Sequence, residues 1–215
     1  MPDPPPTSRS VRGAYQAAAG AYDARWARYN RETLGLLRPW LAGRDLGRLV
    51  DVGCGTANLL AALTAWDAAP DAYVGVDLAP EMLRVARGKV EGVAGVRAGL
   101  VAGEAGAIPL AAGGFDTAVA ASTLHGWDDA AGSLAEVRRV LRSGGTLLLL
   151  DWHRDPLPMR ILNAAMRIRR IPYRRMYDAA SIRALLGRAG FVVEDEGRRA
   201  IGAWWRVIAF RARAV

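Results

Sequence analysis

The sequence predicts one α/β domain built on a doubly wound, mostly parallel sheet of seven strands. Three observations carry that prediction. Short, almost purely apolar runs alternate with helical patterns between residues 48 and 152. Strands that apolar are buried on both faces, as in a parallel sheet covered by helices on each side. The first run also ends in a glycine-rich turn, Val50-Asp51-Val52-Gly53-Cys54-Gly55-Thr56, directly before a helical stretch.

The elements follow in order. Residues 1–10, with Pro2, Pro4, Pro5 and Pro6, read as a disordered lead-in. Residues 11–29 read as a helix in which Tyr15, Tyr22, Trp26 and Tyr29, spaced by seven, four and three, share one face. A second helix spans 31–41 and stops near Gly43. Strand 48–52 enters the glycine turn, and helix 59–66 leaves it. Strand 72–76 ends at Asp77, and helix 80–89 has Pro80 in its first turn. Strand 97–102 is weakened by Gly99. Strand 115–121, helix 128–141 and the leucine-rich strand 145–150 complete the alternation. Helix 161–170 is broken by Pro172, and helix 178–189 is stopped by Gly190. Strands 191–196 and 203–213 then pair through Gly202 as an antiparallel hairpin at one end of the sheet.

Composition narrows the function classes. A chain of 215 residues, 52% hydrophobic, is one ordered domain with a sizeable core. Cys54 is the single cysteine, which excludes an intrachain disulfide and a cysteine-built metal site. The N-terminus lacks the basic start and apolar run of a signal peptide, and the apolar stretch 146–150 is too short to span a bilayer. A cytoplasmic protein is expected. The formal charge of +8 comes almost wholly from arginine, Lys89 being the one lysine. Such a balance bears on association rather than fold.

The glycine turn sits where a backbone can approach a charged ligand closely. Asp51 stands just before it, where a carboxylate binds a cation such as an α-ammonium group and repels a pyrophosphate. Asp77, at the end of the next strand, can accept both hydroxyls of a ribose. A dinucleotide fingerprint wants a third glycine where Asn58 stands, so that alternative is disfavoured.

Beyond the turn, Val74-Gly75-Val76-Asp77-Leu78-Ala79-Pro80-Glu81-Met82-Leu83, Gly103-Glu104-Ala105 with Ile108-Pro109-Leu110, and Phe115-Asp116 through Leu124-His125 follow in order. Glu136 to Leu141 and then Gly144-Gly145 come after them. Together these motifs resemble class I S-adenosylmethionine-dependent methyltransferases, in the small-molecule branch that includes the ubiquinone and menaquinone biosynthesis enzymes. The resemblance covers about half the chain. It implies a Rossmann-like methyltransferase fold with S-adenosylmethionine as cofactor. Residues 11–43 would then be an N-terminal helical lid, 48–152 the cofactor-binding core, 153–190 a substrate-side helical segment and 191–215 the C-terminal hairpin.

Residue by residue, the resemblance implies that Gly53, Cys54, Gly55 and Thr56 meet the methionine portion, with Asp51 nearby. Asp77 would hold the ribose, Leu78 and Met82 pack on the adenine, and Glu104 and Ala105 meet its edge. Ser122 would line the methionine side, and Tyr22 would reach the cofactor from the lid. Two departures from the family pattern stand out. Ala57 occupies the usual third glycine, and Glu104 replaces a more common aspartate. His125 is the candidate general base, should the acceptor arrive protonated. Cys54 is expected to be a packed turn residue rather than a nucleophile.

Trp26, Tyr29, His125, Trp127 and Trp152 are expected to line the acceptor side, where aromatic rings would hold a flat or apolar molecule. The expected partner is a small-molecule methyl acceptor, quinone- or lipid-like. Nucleic acid is disfavoured, and no metal site is expected. Arg160, Arg167, Arg169, Arg170, Arg174 and Arg175, interleaved with Ile161, Leu162, Met166, Ile168 and Ile171, form a basic amphipathic segment. Such a segment can be a plain solvated face or can make peripheral contact with an anionic membrane. An RNA or protein methyltransferase and a non-catalytic cofactor-binding protein remain as alternative readings.

Overall fold

The computed structural model describes residues 8–169, 173 and 175–215. The proline-rich residues 1–7, together with Arg170, Ile171, Pro172 and Arg174, lie outside the described residues. Seven strands form one sheet: β1 (Arg48–Val52), β2 (Ala72–Asp77), β3 (Arg97–Ala102), β4 (Phe115–Ala121), β5 (Leu141–Trp152), β6 (Phe191–Ile201) and β7 (Trp205–Ala214). Their order across the sheet is β3-β2-β1-β4-β5-β7-β6. The first five are parallel, and β7 runs antiparallel to both β5 and β6.

The leucines of β5 show why this sheet needs helices on both sides. Side chains alternate along a strand. Leu147 and Leu149 therefore join one core with Leu134, Val137, Ile182 and Phe210. Leu148 and Leu150 join the other, with Leu37, Leu49, Leu60, Leu63 and Tyr73. The helices α5 (Ala130–Val140) and α7 (Ala179–Arg188) cover the first face. On the second lie α2 (Arg38–Leu41), α3 (Asn58–Ala65) and α4 (Pro80–Glu91), with the end of α1 (Ser8–Leu34). The remaining helix, α6 (Leu157–Ile168), packs Met159 and Met166 into a separate cluster with Tyr173 and Met176. Among the described residues no helix is long and apolar enough to cross a membrane.

Four elements differ from expectation. The first two helices are one: α1 runs unbroken to Leu34, because nothing between Tyr29 and Leu34 stops a helix, and only the four residues of α2 follow. The helix α6 starts at Leu157 rather than 161, with Pro158 tolerated in its first turn. Strand β5 begins directly after α5, and its pairing with β4 slips from Phe115–Leu141 to Thr117–Thr146. Strand β6 extends to Ile201, giving a longer hairpin through Gly202, whose φ is +59°.

The order of the strands reverses between β1 and β4. At such a switch point the two connections leave in opposite directions and open a crevice beyond the carboxyl ends. That crevice is where the glycine turn lies.

Candidate active site

The glycine turn is built from three left-handed residues: Gly53 (φ +76°), Gly55 (φ +54°) and Ala57 (φ +59°). Close approach requires glycine at the first, since a Cβ there would stand 2.2 Å from Thr123 Oγ1. Gly55 is different. No atom would lie within 4 Å of its Cβ, so its backbone faces open space. Ala57 takes the glycine-like conformation although it carries a methyl, at a strain of about 1 kcal/mol. The amides of Gly53 and Cys54 both donate to the Val76 carbonyl, at 2.8 and 3.0 Å, and pin the turn to β2.

Two carboxylates end adjacent strands beneath this turn. Asp51, only 2% exposed, accepts a 2.7 Å hydrogen bond from the Tyr73 hydroxyl. Burial pushes its carboxyl up to about 7, against the lowering effect of that bond. Asp77 accepts from the Ala79 amide through Oδ1 and from the Gly55 amide through Oδ2, each at 2.8 Å. Burial pushes its carboxyl up as well, against those backbone bonds. Each oxygen keeps a further lone pair, so both groups can still receive donors from a ligand. Ser122, at the end of β4, is also left-handed (φ +56°), a strained position of the kind found at functional sites.

These groups border one cavity of about 390 Å³. The helix α1 lies across it as a cover. Its Tyr15, Ala19 and Tyr22 pack on Ala79 and Met82, and the Gln16 side-chain amide donates to Glu81 at 2.6 Å. Further along, Asp23 accepts from Thr56 Oγ1 at 2.6 Å and from Asn58 Nδ2 at 3.0 Å, and pairs with Lys89 at 2.8 Å. Burial raises the Asp23 carboxyl, but the bonds from Lys89, Thr56 and Asn58 outweigh it and hold it below its ordinary value. The single lysine thus fastens the lid to the glycine turn. Asp23→Ala removes that fastening, worth on the order of 1.5 kcal/mol for a half-exposed charged group. The cofactor off-rate, followed by stopped-flow tryptophan fluorescence, should rise about tenfold.

Opposite the turn, His125 sits on a single 3₁₀ turn (Leu124–Gly126) just after β4. Asp151, at the end of neighbouring β5, grips it twice. One carboxylate oxygen accepts from the His125 backbone amide at 3.0 Å, and the other lies 2.9 Å from Nδ1. A carboxylate only accepts, so it selects the neutral tautomer with the proton on Nδ1, in which Nε2 is the nitrogen with the lone pair. The Trp152 ring stacks on the imidazole at 3.7 Å and 13°. The Tyr15 hydroxyl stands 3.5 Å from Nε2, too far for a strong hydrogen bond. A buried imidazole, fixed in tautomer by a carboxylate and presenting Nε2 to a cavity, is an arrangement that can accept a proton.

Residues 50–149 match the family described as Methyltransferase domain. The chain is 34% identical over 167 residues to the demethylmenaquinone methyltransferase of Roseiflexus castenholzii, covering 74% of this chain and 67% of that protein. It is 38% identical over 122 residues to the ubiquinone/menaquinone biosynthesis C-methyltransferase UbiE of Paracoccus denitrificans, covering 56% and 48%. The chain belongs to the S-adenosylmethionine-dependent methyltransferases. Its fold superimposes on magnesium protoporphyrin IX methyltransferase from Synechocystis, solved with S-adenosylhomocysteine bound. That match has a TM-score of 0.68 at 18% identity and covers 88% of this chain and 84% of the other.

The cofactor of this methyltransferase is S-adenosylmethionine, and the cavity suits it. An open glycine cradle with a buried carboxylate on each adjoining strand matches a ligand carrying both a cation and hydroxyl donors. Tyr22, Asp51, Gly53, Cys54, Gly55, Thr56, Asp77, Leu78, Met82, Glu104, Ala105 and Ser122 all line the cavity, as do His125 and Trp127. Within that wall, Thr56 turns its hydroxyl to Asp23, and Glu104 is exposed at the rim. Cys54 is packed against Gly75, where a Cβ would stand 2.8 Å from Sγ. Burial, with Asp51 and Asp77 nearby, pushes its thiol well up, which leaves no thiolate for a nucleophile.

Trp26, Tyr29 and Trp152 do not line this cavity. They meet Trp205 in an aromatic cluster beside it, in which Trp152 Nε1 donates to the Tyr29 hydroxyl at 2.9 Å. The aromatic face of α1 therefore divides its partners: Tyr15 and Tyr22 cover the methyltransferase's cofactor cavity, and Trp26 and Tyr29 pack on the hairpin. Sequence reasoning missed Tyr15, Asp23, Lys89 and Asp151 as parts of the site. Two of them carried a local signal: Tyr15 on the aromatic face of the first helix, and Lys89 as one lysine among arginines.

Proposed function

We propose that this methyltransferase methylates a small, flat, apolar acceptor of the quinone- or lipid-like kind, with His125 as general base. The observation that carries this reading is the wall around His125. Tyr15, Tyr22 and Trp127 line the cavity beside the imidazole, whose other face is closed by the stacked Trp152. Aromatic rings of this kind favour a flat apolar partner over a charged or sugar-like one. The names of the relatives, a demethylmenaquinone methyltransferase and a C-methyltransferase of ubiquinone/menaquinone biosynthesis, support the same class.

When bound, S-adenosylmethionine supplies a sulfonium methyl that is open to in-line attack. The protein's own share is mostly placement. Asp51 would hold the ammonium group, Asp77 the ribose hydroxyls, and Leu78 and Met82 would pack on the adenine, while the glycine turn would let the ligand reach the backbone. Nε2 of His125 takes the acceptor's hydroxyl proton, and Asp151 stabilises the positive imidazolium that results. The covering helix α1 excludes water from this exchange.

The test uses the purified chain with methyl-labelled cofactor and a water-soluble naphthoquinol. Label on the quinol, with a melting-temperature rise in cofactor equivalent to ~2.7 kcal/mol at a hundredfold excess over Kd, is the expected result. Label appearing on RNA or on protein while the quinol stays unlabelled would overturn the acceptor class.

A further inference from the structure

The helix α6 buries one face and leaves the opposite one apolar. Met159 and Met166 point into the methionine–aromatic cluster. Leu157, Ile161 and Ile168 are 66%, 51% and 83% exposed. At 100° per residue these three, with exposed Ala164, fall within an arc of about 60°. Exposed Arg160 and Arg167 border that arc on one side. Between Asp155 and Asp178 the sequence carries six arginines and no acidic residue. Trp204, 54% exposed, adjoins Trp205, which packs on the same cluster that α6 covers.

We propose that α6 seats this methyltransferase on the surface of an anionic phospholipid bilayer, with the Leu157–Ile161–Ala164–Ile168 stripe in the interface and the arginines on the lipid phosphates. An exposed leucine–isoleucine stripe loses free energy in water and regains it among acyl chains, and a one-signed cationic border selects anionic headgroups. Trp204 supplies the kind of amphipathic ring that settles at headgroup level. RNA phosphates would engage the arginines but leave the stripe in water, so the bilayer accounts for more of the surface. The buried face of α6 reaches Trp152, which stacks on His125, so the docked helix lies beside the candidate base. The docking itself is independent of the acceptor reading above.

Vesicle co-sedimentation of the full chain tests the docking. Vesicles of phosphatidylcholine with about a third phosphatidylglycerol should pellet the protein at low salt, and phosphatidylcholine alone should not. Ile161→Ser with Ile168→Ser should weaken binding at least about tenfold. Arg160→Gln with Arg167→Gln should weaken it about 30-fold, and added salt should weaken the wild type. Both double variants should keep the wild-type thermal shift with S-adenosylmethionine, since none of these side chains lines the cofactor cavity. Wild-type protein that stays in the supernatant overturns the proposal. So does an isoleucine variant that pellets like wild type, or a polyuridylate probe that binds and is released by the arginine pair alone. Sedimentation reads no turnover, so its failure leaves the methyl-transfer reading standing, and failure of quinol methylation leaves the docking standing.

Discussion

Asp51→Asn is expected to stabilise the free protein while removing its grip on the cofactor. The Asp51 carboxyl is raised to about 7 by burial, from an ordinary value near 4. An acid raised on folding helps stability below its unfolded value and loses that help as pH rises through its folded value. Above pH 7 the folded chain therefore carries a buried charge whose cost is capped near ~4 kcal/mol. Asparagine keeps an acceptor for the Tyr73 hydroxyl and has no charge to bury. If half the cap is recovered, the melting temperature at pH 8 should rise by about 5 °C, with no gain at pH 4. The same change should weaken S-adenosylmethionine at least about a hundredfold, the scale of removing one partner from a buried charge pair. Wild-type affinity should also fall as pH drops below 7, up to about tenfold per pH unit, because the carboxyl must give up its proton to meet the cation. The asparagine variant should lose that dependence. Calorimetric titration and melting curves across pH 5 to 8 read both effects, and a variant that binds as tightly as wild type would remove Asp51 from the cofactor site.

The second large effect is expected at His125 and Asp151. His125→Ala should lower kcat by about 10²- to 10⁴-fold while the cofactor Kd stays within about threefold. Asp151→Asn tests the grip rather than the base. Its side-chain amide can donate to Nδ1, which would move the ring proton to Nε2 and take the lone pair away from the cavity. A drop in kcat comparable to that of His125→Ala, with an unchanged melting curve in cofactor, is the expected pattern. Were Asp151→Asn fully active, the carboxylate would be a structural anchor for the turn and nothing more.

Much of this could be read along the chain. Short apolar runs of five to seven residues, alternating with helical patterns, mark β1 to β5 because each of those signals is local. The glycine turn marks the switch point for the same reason. What could not be read depends on register. Asp151 meets His125 only because β4 and β5 lie side by side with Ala121 opposite Leu150, which brings the turn after β4 against the end of β5. Asp23 meets Lys89 only because α1 turns back over α4, and no spacing rule links positions 66 apart. The aromatic face of α1 was visible as a periodicity, but its division between the cavity and Trp205 depends on where the hairpin lies. The cofactor half of the site is accordingly clearer in sequence than the His125 side, whose walls come from α1, the turn after β4 and the residues leading into α5 at once.

The covering helix has a consequence for the rhythm of turnover. Asp23 on α1 fastens the glycine turn, and Tyr15 on the same helix stands before Nε2 of His125. One rigid rod therefore touches both halves of the reaction, and swinging it aside to exchange spent cofactor also uncovers the base. Cofactor exchange and acceptor access then share a gate, and their rates rise or fall together. Asp23→Ala, which loosens that gate, is therefore expected to speed cofactor exchange and acceptor access together.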